Sequence, residues 1–184
     1  GQVGMYSCGP TVYWYQHIGN FRTMLINDLL KRMFFYNGYK VTHVMNITDV
    51  DDKTINGSKK EKISLAQLTR KYENIFFKDV DALGIIRPDP VLRATENING
   101  MVSLIKRLLK NKCAYKTTDG IYFSINKSKK YGVLAGLDKI TKTKERIRTD
   151  EYDKNNIHDF VLWKFWTSED GDAFWETDLG KGRP

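Results

Sequence analysis

Histidine, glycine and asparagine residues near the amino end of the chain have types and spacing suited to binding an anion. His17, Gly19 and Asn20 lie between a short predicted strand and a long segment with helical periodicity. At this place in a βαβ fold, free backbone N–H groups and the helix dipole attract phosphate. An imidazole and an amide can both donate to a phosphate oxygen, and a glycine permits close approach of a nucleotide. A histidine at a turn is also often structural, and these residues alone do not decide between the two.

A cysteine lies close by, at the predicted end of the first strand. Cys8 stands nine residues before His17, and its thiolate could ligate a metal or act as a nucleophile. The alternative is a small core residue, because unpaired cysteines are often buried. The chain has no pair of cysteines or histidines at metal-ligand spacing, so a zinc site would need further ligands from beyond Pro184.

Three carboxylates follow the second predicted strand, in residues 46–53 (NITDVDDK). Asp49, Asp51 and Asp52 would face the ligand crevice if this strand is parallel to its neighbour. Carboxylates at such an edge can bind a metal or act in general acid–base catalysis. Aspartates that cap the next segment are the alternative, and both interpretations stay open.

The elements that position these groups follow from the spacing of apolar residues. Residues 4–13 predict a strand that enters a Gly-Pro turn, residues 21–37 predict a helix that Gly38 closes, and residues 41–47 predict a second strand. This order forms a βαβ unit, so the sequence indicates an α/β fold with a parallel sheet. The first helix carries two rows of apolar side chains at helical spacing: Leu25, Leu29 and Met33, and Ile26, Leu30 and Phe34.

Two more helices and a hairpin complete the predicted map. A capping box at Ser64 opens a helix that should reach about residue 83, and a third helix covers about residues 94–110. Residues 114–125 predict a hairpin that turns at an Asp-Gly pair. A βαβ domain therefore extends to about residue 98, and a mixed, basic α+β insertion follows.

The composition narrows the class of protein. The 184 residues carry a formal charge of +8, and 41% are apolar, which supports a folded core. Residues 104–149 hold 13 lysines and arginines against three acids, which fits either a surface that binds a polyanion or a solvated basic face. We expect no membrane span, because no run of 18 apolar residues occurs. Two cysteines, Cys8 and Cys113, exclude a disulfide scaffold and favour a reducing cytoplasm.

Taken together, the motifs resemble those of the cysteinyl-tRNA synthetases, a family of class I aminoacyl-tRNA synthetases. The two most specific stretches are residues 5–13 (MYSCGPTVY) and 46–53 (NITDVDDK), and residues 17–20 (HIGN) lie between them in the family's order and spacing. Shorter matching stretches run along the rest of the chain: residues 81–84 (DALG), 87–88 (RP), 93–95 (RAT), 131–134 (YGVL), 159–164 (DFVLWK) and 182–184 (GRP).

The resemblance implies ATP-dependent activation of cysteine to cysteinyl-adenylate, followed by transfer to the terminal adenosine of tRNA(Cys). His17 and Asn20 match the positions that stabilise the transition state at the α-phosphate, with asparagine in place of the motif's final histidine. The resemblance implies an ATP site of Thr11, His17, Ile18, Gly19 and Asn20, with Mg²⁺ accompanying the nucleotide.

The resemblance also implies a zinc ion and a cysteine pocket. Cys8 matches the family's first zinc ligand, and Gly9 and Thr48 match positions that line the cysteine pocket. One Zn²⁺ in each full-length subunit would bind the substrate thiolate and reject serine, because zinc prefers a soft thiolate to a hydroxyl. The remaining ligands would lie beyond this chain.

The resemblance assigns residues 1–98 to the first half of a Rossmann-like catalytic domain. Residues 99–177 match the family's connective-peptide insertion, and residues 178–184 match the start of the return to the catalytic domain. The basic stretch of the insertion is expected to face the tRNA acceptor arm. We expect this piece to be inactive alone, and the full-length enzyme to be a cytoplasmic monomer.

Two other functions share these features. A related cysteine ligase that acts on an amino-sugar has the same fold and first half-reaction, although residues 8–13 and 46–52 fit the synthetase better. A non-catalytic, RNA-binding paralogue would keep the basic face, but the joint presence of Cys8, His17 and Thr48 favours an enzyme.

Overall fold

The chain forms two compact units, Gly1–Asn97 and Ile98–Pro184. The computed structural model describes residues 1–128, 131, 133 and 159–184. Residues 132 and 134 of the predicted YGVL motif, and most of the basic stretch after residue 128, lie outside the described residues. The assignment of residues 1–98, 99–177 and 178–184 to functional parts stays a prediction.

The first unit contains a parallel sheet of three strands, as the sequence predicts. Strands β1 (Gln2–Ser7), β2 (Lys40–Ile47) and β3 (Val91–Arg93) lie in the order β1-β2-β3, with both pairs parallel. The α/β fold class is therefore confirmed. Strand β3 was not predicted, because three residues are too few to show an alternating pattern.

Three helices connect and cover this sheet: α1 (Ile18–Tyr36), α2 (Asp52–Glu61) and α3 (Leu65–Ala82). The predicted capping box is present at α3, where the Ser64 side chain accepts from Gln67 N. Gly38 and Gly84 follow α1 and α3 with φ of 76° and 65°, which favours glycine at both helix ends. Helix α2 was not predicted, since its sequence (DKTINGSKKE) is polar and carries little apolar periodicity.

Helix α1 packs on the sheet through a face that the apolar pattern did not indicate. Its buried residues are Phe21, Met24, Asp28 and Lys31, whereas the periodic residue Leu29 is 70% exposed. Asp28 Oδ1 accepts from the backbone N of Ile86 at 2.9 Å, and Lys31 Nζ donates to the carbonyl of Arg87, also at 2.9 Å. Apolar residues occur on several sides of this helix, so periodicity predicted the helix but not the side that packs inward.

The second unit combines a helix with an antiparallel sheet. Helix α4 (Ile98–Lys110) begins after a 3-10 turn at Ala94–Glu96, later than the predicted residue 94. The sheet has the order β4-β5-β6-β7, with strands at Ala114–Lys116, Gly120–Phe123, Phe160–Phe165 and Gly182–Arg183. The β4–β5 pair is the predicted hairpin. Trp163 is fully buried at the centre of this unit's core.

Within the described residues, no helix is both long and apolar enough to span a bilayer.

The segment after β1 passes very close to strand β2. A Cβ atom at Gly9 would overlap the carbonyl oxygen of Asn46 and lie 3.0 Å from the Met45 side chain. Met45 is completely buried, so it has little room to move. Only glycine therefore fits at position 9 without a shift of one of the two backbones.

A matched pair of glycine substitutions tests this close approach. We expect Gly9→Ala to lower the free energy of unfolding by about 1–3 kcal/mol, because the added methyl group overpacks the contact with β2. Gly4→Ala, within β1, is the control, because a Cβ atom there meets nothing within 4 Å. It should change stability by less than about 0.5 kcal/mol. Urea titration of the two variants measures the difference, and equal effects would contradict the packing argument.

Candidate active site at the carboxyl edge of the parallel sheet

The predicted site residues around β1 and β2 meet at the carboxyl ends of these strands. Because the strands are parallel, the segment after β1 and the segment after β2 emerge at the same edge. Thr11 and Thr48 form an isolated parallel bridge there. Val12 N donates to Thr48 O at 3.2 Å, and Thr48 N donates to Pro10 O at 3.1 Å. The backbone of the first segment is thus fixed along the end of β2.

The Asn46 side chain joins three groups at this edge. Its Oδ1 accepts from Gly9 N at 3.1 Å and from the Tyr6 hydroxyl at 2.9 Å. Its Nδ2 donates to Thr48 Oγ1 at 3.4 Å. Asn46 therefore holds together Gly9 and Thr48, the two residues that the resemblance assigns to a cysteine pocket.

Cys8 lies exposed beside this cluster. Its thiol is not part of a disulfide. Residue 8 follows Tyr6 by two positions, which places both side chains on the same side of the extended segment. Partial burial and the neighbouring Cys8 sulfur raise the pKa of the Tyr6 hydroxyl. Tyr6 thus remains a neutral hydrogen-bond donor close to the Cys8 sulfur.

Strand β2 also holds a buried histidine that contacts Ser7, the residue before Cys8. Ser7 Oγ and His43 Nε2 are 2.8 Å apart, and both residues are buried. Burial lowers the pKa of His43, and the positive charge of Lys31 lowers it further against the opposing effect of Asp28. A neutral His43 therefore ties β1 to β2 and contributes to the rigid base of the site.

His17 occupies the N-cap of α1 and forms a reciprocal capping box with Asn20. Its Nδ1 accepts from Gly19 N at 3.0 Å, and its backbone N donates to Asn20 Oδ1 at 3.2 Å. A neutral imidazole that accepts at Nδ1 carries its proton at Nε2. The fold therefore leaves the Nε2–H of His17 and the amide N–H groups of Asn20 as donors at the helix N-terminus, where a negative charge is favoured.

Glycine at position 19 is needed for this arrangement. A Cβ atom there would lie 2.8 Å from His17 Cε1 and 2.9 Å from His17 Nδ1. Both distances are shorter than a van der Waals contact between atoms that are not bonded to each other. Ile18, the neighbouring residue of the predicted ATP site, is 89% exposed. The first turn of α1 thus presents an open surface around the His17 ring.

Gln16 connects the two parts of the site. Its side-chain Nε2 donates to Thr11 O at 3.2 Å and to Trp14 O at 3.1 Å. These bonds close the segment between the Thr11–Thr48 bridge and His17. The sheet edge and the start of α1 are therefore linked by a hydrogen-bonded loop, which orients them with respect to each other.

The three aspartates of residues 46–53 make structural contacts. Asp49 is buried and accepts from Thr95 N at 3.0 Å and from Thr95 Oγ1 at 2.6 Å. Asp51 is the N-cap of α2 and accepts from Thr54 N at 2.8 Å, while Asp52 lies in the first turn of that helix. The geometry at Asp51 agrees with the capping alternative that the sequence left open.

The described residues do not by themselves form a metal site. The described residues hold no group of three or more histidine, cysteine, aspartate or glutamate side chains that could bind a metal. The exposed thiol of Cys8 has suitable chemistry for one zinc ligand, but a tetrahedral site needs four. The described part of the chain therefore cannot complete a zinc site without further ligands.

Sequence reasoning did not assign roles to Asn46 or Tyr6, although both lie in the matched stretches. Asn46 carries a signal that could have been used, because an asparagine at the end of a buried strand is poorly suited to a sheet interior. Its three hydrogen bonds join residues 37 or more positions apart as well as its near neighbour Thr48. No local pattern in one sequence can show contacts of that range.

Comparison with known proteins gives close relatives over the whole chain. The chain is 50% identical over 186 residues to a protein of Brachyspira hyodysenteriae named cysteine–tRNA ligase, which covers 100% of this chain and 39% of that relative. It is also 50% identical over 185 residues to the cysteine–tRNA ligase of Chlamydia pneumoniae, with 99% of this chain and 39% of that relative covered. The chain thus spans well under half the length of these relatives.

Solved structures show the same fold at low identity. Methionyl-tRNA synthetase of Mycobacterium tuberculosis in complex with methionyl-adenylate matches with a TM-score of 0.56 and 18% identity, over 67% of this chain and 25% of that one. At this identity the likeness shows the fold alone, which is Rossmann-like. A family model described as the catalytic domain of class I (C) tRNA synthetases matches residues 1–184. The chain therefore belongs to the family of class I (C) tRNA synthetase catalytic domains.

Proposed function

We propose that the full-length protein containing this chain activates cysteine with ATP and transfers it to the terminal adenosine of tRNA(Cys). Relatives that are named cysteine–tRNA ligase and are 50% identical to this chain support the proposal. The observation that carries it is the capped His17 at the start of α1, whose Nδ1 is occupied by Gly19 N while Nε2 stays available. That geometry suits a donor to a phosphate oxygen.

Activation is a displacement at the α-phosphorus of ATP. A carboxylate oxygen of cysteine attacks this phosphorus, the bond to the bridging oxygen of the β-phosphate breaks, and pyrophosphate leaves with the electron pair. Negative charge on the non-bridging α-phosphate oxygens in the transition state would be stabilised by the Nε2–H of His17, the amide of Asn20 and the α1 dipole. Thr11, Ile18 and Gly19 would complete the ATP contacts, and Mg²⁺ would neutralise the outer phosphates.

Cysteine would bind at the cluster that Asn46 organises. Gly9 offers a backbone surface without a side chain, and Thr48 offers a hydroxyl, both fixed by hydrogen bonds to Asn46. Cys8 would be one ligand of a Zn²⁺ ion whose other ligands come from parts of the full-length protein outside this chain. When bound, that ion supplies a soft Lewis acid that prefers a thiolate to a hydroxyl.

Transfer of cysteine requires the tRNA as the second substrate. A ribose hydroxyl of its terminal adenosine attacks the carbonyl carbon of the adenylate, and AMP leaves. The excess of lysine and arginine in residues 104–149 would attract the phosphates of the acceptor arm. We propose that this occurs in the cytoplasm and that the full-length enzyme is a monomer.

An exchange assay on the full-length enzyme tests the proposal. We expect cysteine-dependent exchange between ATP and pyrophosphate, with serine giving no exchange above background. His17→Asn should lower kcat about 100-fold, since it removes the ring donor. Asparagine is also a good N-cap, so this variant should keep the thermal unfolding midpoint of the parent.

Two outcomes of this assay would contradict the proposal. Unsubstituted enzyme that gives no cysteine-dependent exchange would exclude cysteine activation. A His17→Asn variant with parental kcat would show that His17 only caps α1. A separate charging assay addresses the rival function, since exchange with cysteine but no charging of tRNA would favour a ligase with another acceptor.

Substitution of each of the two cysteines tests the zinc proposal. We expect Cys8→Ser in the full-length enzyme to lose most of its bound zinc and most of its preference for cysteine over serine, because a thiolate ligand is removed. Cys113→Ser should keep both, since the resemblance assigns no role to Cys113 and its thiol donates to the Asn111 carbonyl. Elemental mass spectrometry measures the zinc content of each variant. Equal zinc content in the two variants would contradict the assignment of Cys8 as a zinc ligand.

A further inference from the structure

A cleft of about 690 Å³ opens beside the candidate active site within the first unit. Residues 13–15 line one side of it, and helices α2 and α3 line the other. We call it the aromatic groove; its main lining residues are Tyr13, Trp14, Tyr15, Lys53, Lys60 and Tyr72. Its size lies in the range of sites for small organic ligands, about 300–1,000 Å³.

The groove presents aromatic faces to solvent. Trp14 and Tyr15 are 52% and 55% exposed, whereas Tyr72 behind them is 2% exposed. The ring centroids of Trp14 and Tyr15 lie 5.4 Å apart, and each lies 5.5 Å from the ring of Tyr72. The buried tyrosine therefore supports two rings whose outer surfaces remain open for stacking.

The charge of the groove is positive. Lys53 lies 5.4 Å from the centre of the Tyr13 ring, and Lys60 lines the α2 side. Glu61 is the one acid in this lining within the described residues, and it already binds Lys71 Nζ at 2.6 Å and the Tyr72 hydroxyl at 2.5 Å. The groove thus offers the ammonium groups of Lys53 and Lys60 to an anion, because the carboxylate of Glu61 is already bonded to Lys71 and Tyr72.

Aromatic rings next to ammonium groups select one chemical class of ligand. An apolar peptide would leave the lysines without partners, and a quaternary cation would be repelled by them. A nucleotide has a partner for both kinds of side chain, since its base stacks on an aromatic ring and its phosphate pairs with lysine. We propose that the aromatic groove binds an unpaired nucleotide of RNA, with the base on Trp14 or Tyr15 and the phosphate at Lys53 and Lys60.

This inference rests on the proposed function, because tRNA is the RNA that a synthetase must hold. The loop that lines the groove is also tied to the candidate active site by hydrogen bonds. Gln16 Nε2 bonds to the carbonyls of both Trp14 and Thr11, at 3.1 and 3.2 Å, and is followed by His17. A strand of RNA in the groove would therefore pass next to the loop that carries the activating residues.

Binding of an unstructured oligonucleotide to the full-length enzyme tests the groove. The probe is a fluorescein-labelled oligouridylate of eight nucleotides, which forms no base pairs, followed by fluorescence anisotropy. We expect Trp14→Ala and Tyr15→Ala each to weaken binding about tenfold, and Tyr15→Phe to restore it, because a stacking ring contributes at about this level. Tyr36→Ala is the control, since Tyr36 is 92% exposed at the end of α1 and outside the groove.

The salt dependence separates the phosphate contact from stacking. Lys60→Gln should reduce the slope of log Kd against log salt by about 0.7, the value for one phosphate contact on a single strand. Lys78→Gln, an exposed lysine on α3 outside the groove, should leave the slope unchanged. An oligonucleotide carrying 5-iodouridine should cross-link to the peptide that contains residues 13–15.

Parental affinity in both alanine variants, with cross-links only at other peptides, would overturn the groove proposal. If an alanine variant does not fold, the Lys60→Gln slope and the cross-linked peptide decide. Cysteine-dependent pyrophosphate exchange by the unsubstituted enzyme reports separately on the proposed function. The two proposals can therefore fail independently.

Discussion

The hydrogen bonds of one asparagine side chain organise the candidate site. Asn46 sits at the end of β2 and binds Gly9, Tyr6 and Thr48, while the missing side chain of Gly9 lets the two backbones meet. Each such bond contributes about 1 kcal/mol, and an unsatisfied partner would cost more. The position of the segment that carries Cys8 and Thr11 follows from this contact.

The start of helix α1 is the second fixed point, and it depends on the first. The segment after β1 is closed by Gln16, which bonds to Thr11, and it ends at the capping box of His17 and Asn20. Capping satisfies the helix N-terminus and at the same time directs the Nε2–H of His17 outward. One set of hydrogen bonds thus stabilises the fold and prepares donors for a phosphate group, as preorganised sites require.

The sequence was sufficient for those features that depend on local pattern. The βαβ order, the capping box at Ser64 and the chain reversal at Gly38 follow from periodicity and from preferences of single residues. Helix α2 and the packing face of α1 were missed, because α2 is polar and because Asp28 and Lys31 bind distant backbone groups. The residues of the site could be named from motifs, but the bonds of Asn46 that join them span the sheet and leave no local signal.

A substitution at Asn46 therefore gives the most direct test of this junction. In the full-length enzyme, Asn46→Ala should raise the KM for cysteine about tenfold in the exchange reaction and leave the KM for ATP within twofold, because the bonds to Gly9 and Thr48 are lost. Thr42→Ala, at an exposed position of the same strand, should change neither value. A merely structural loss would reduce the amount of active enzyme and change neither KM. Unchanged KM for cysteine in Asn46→Ala, or equal increases for both substrates, would contradict the central role of this junction.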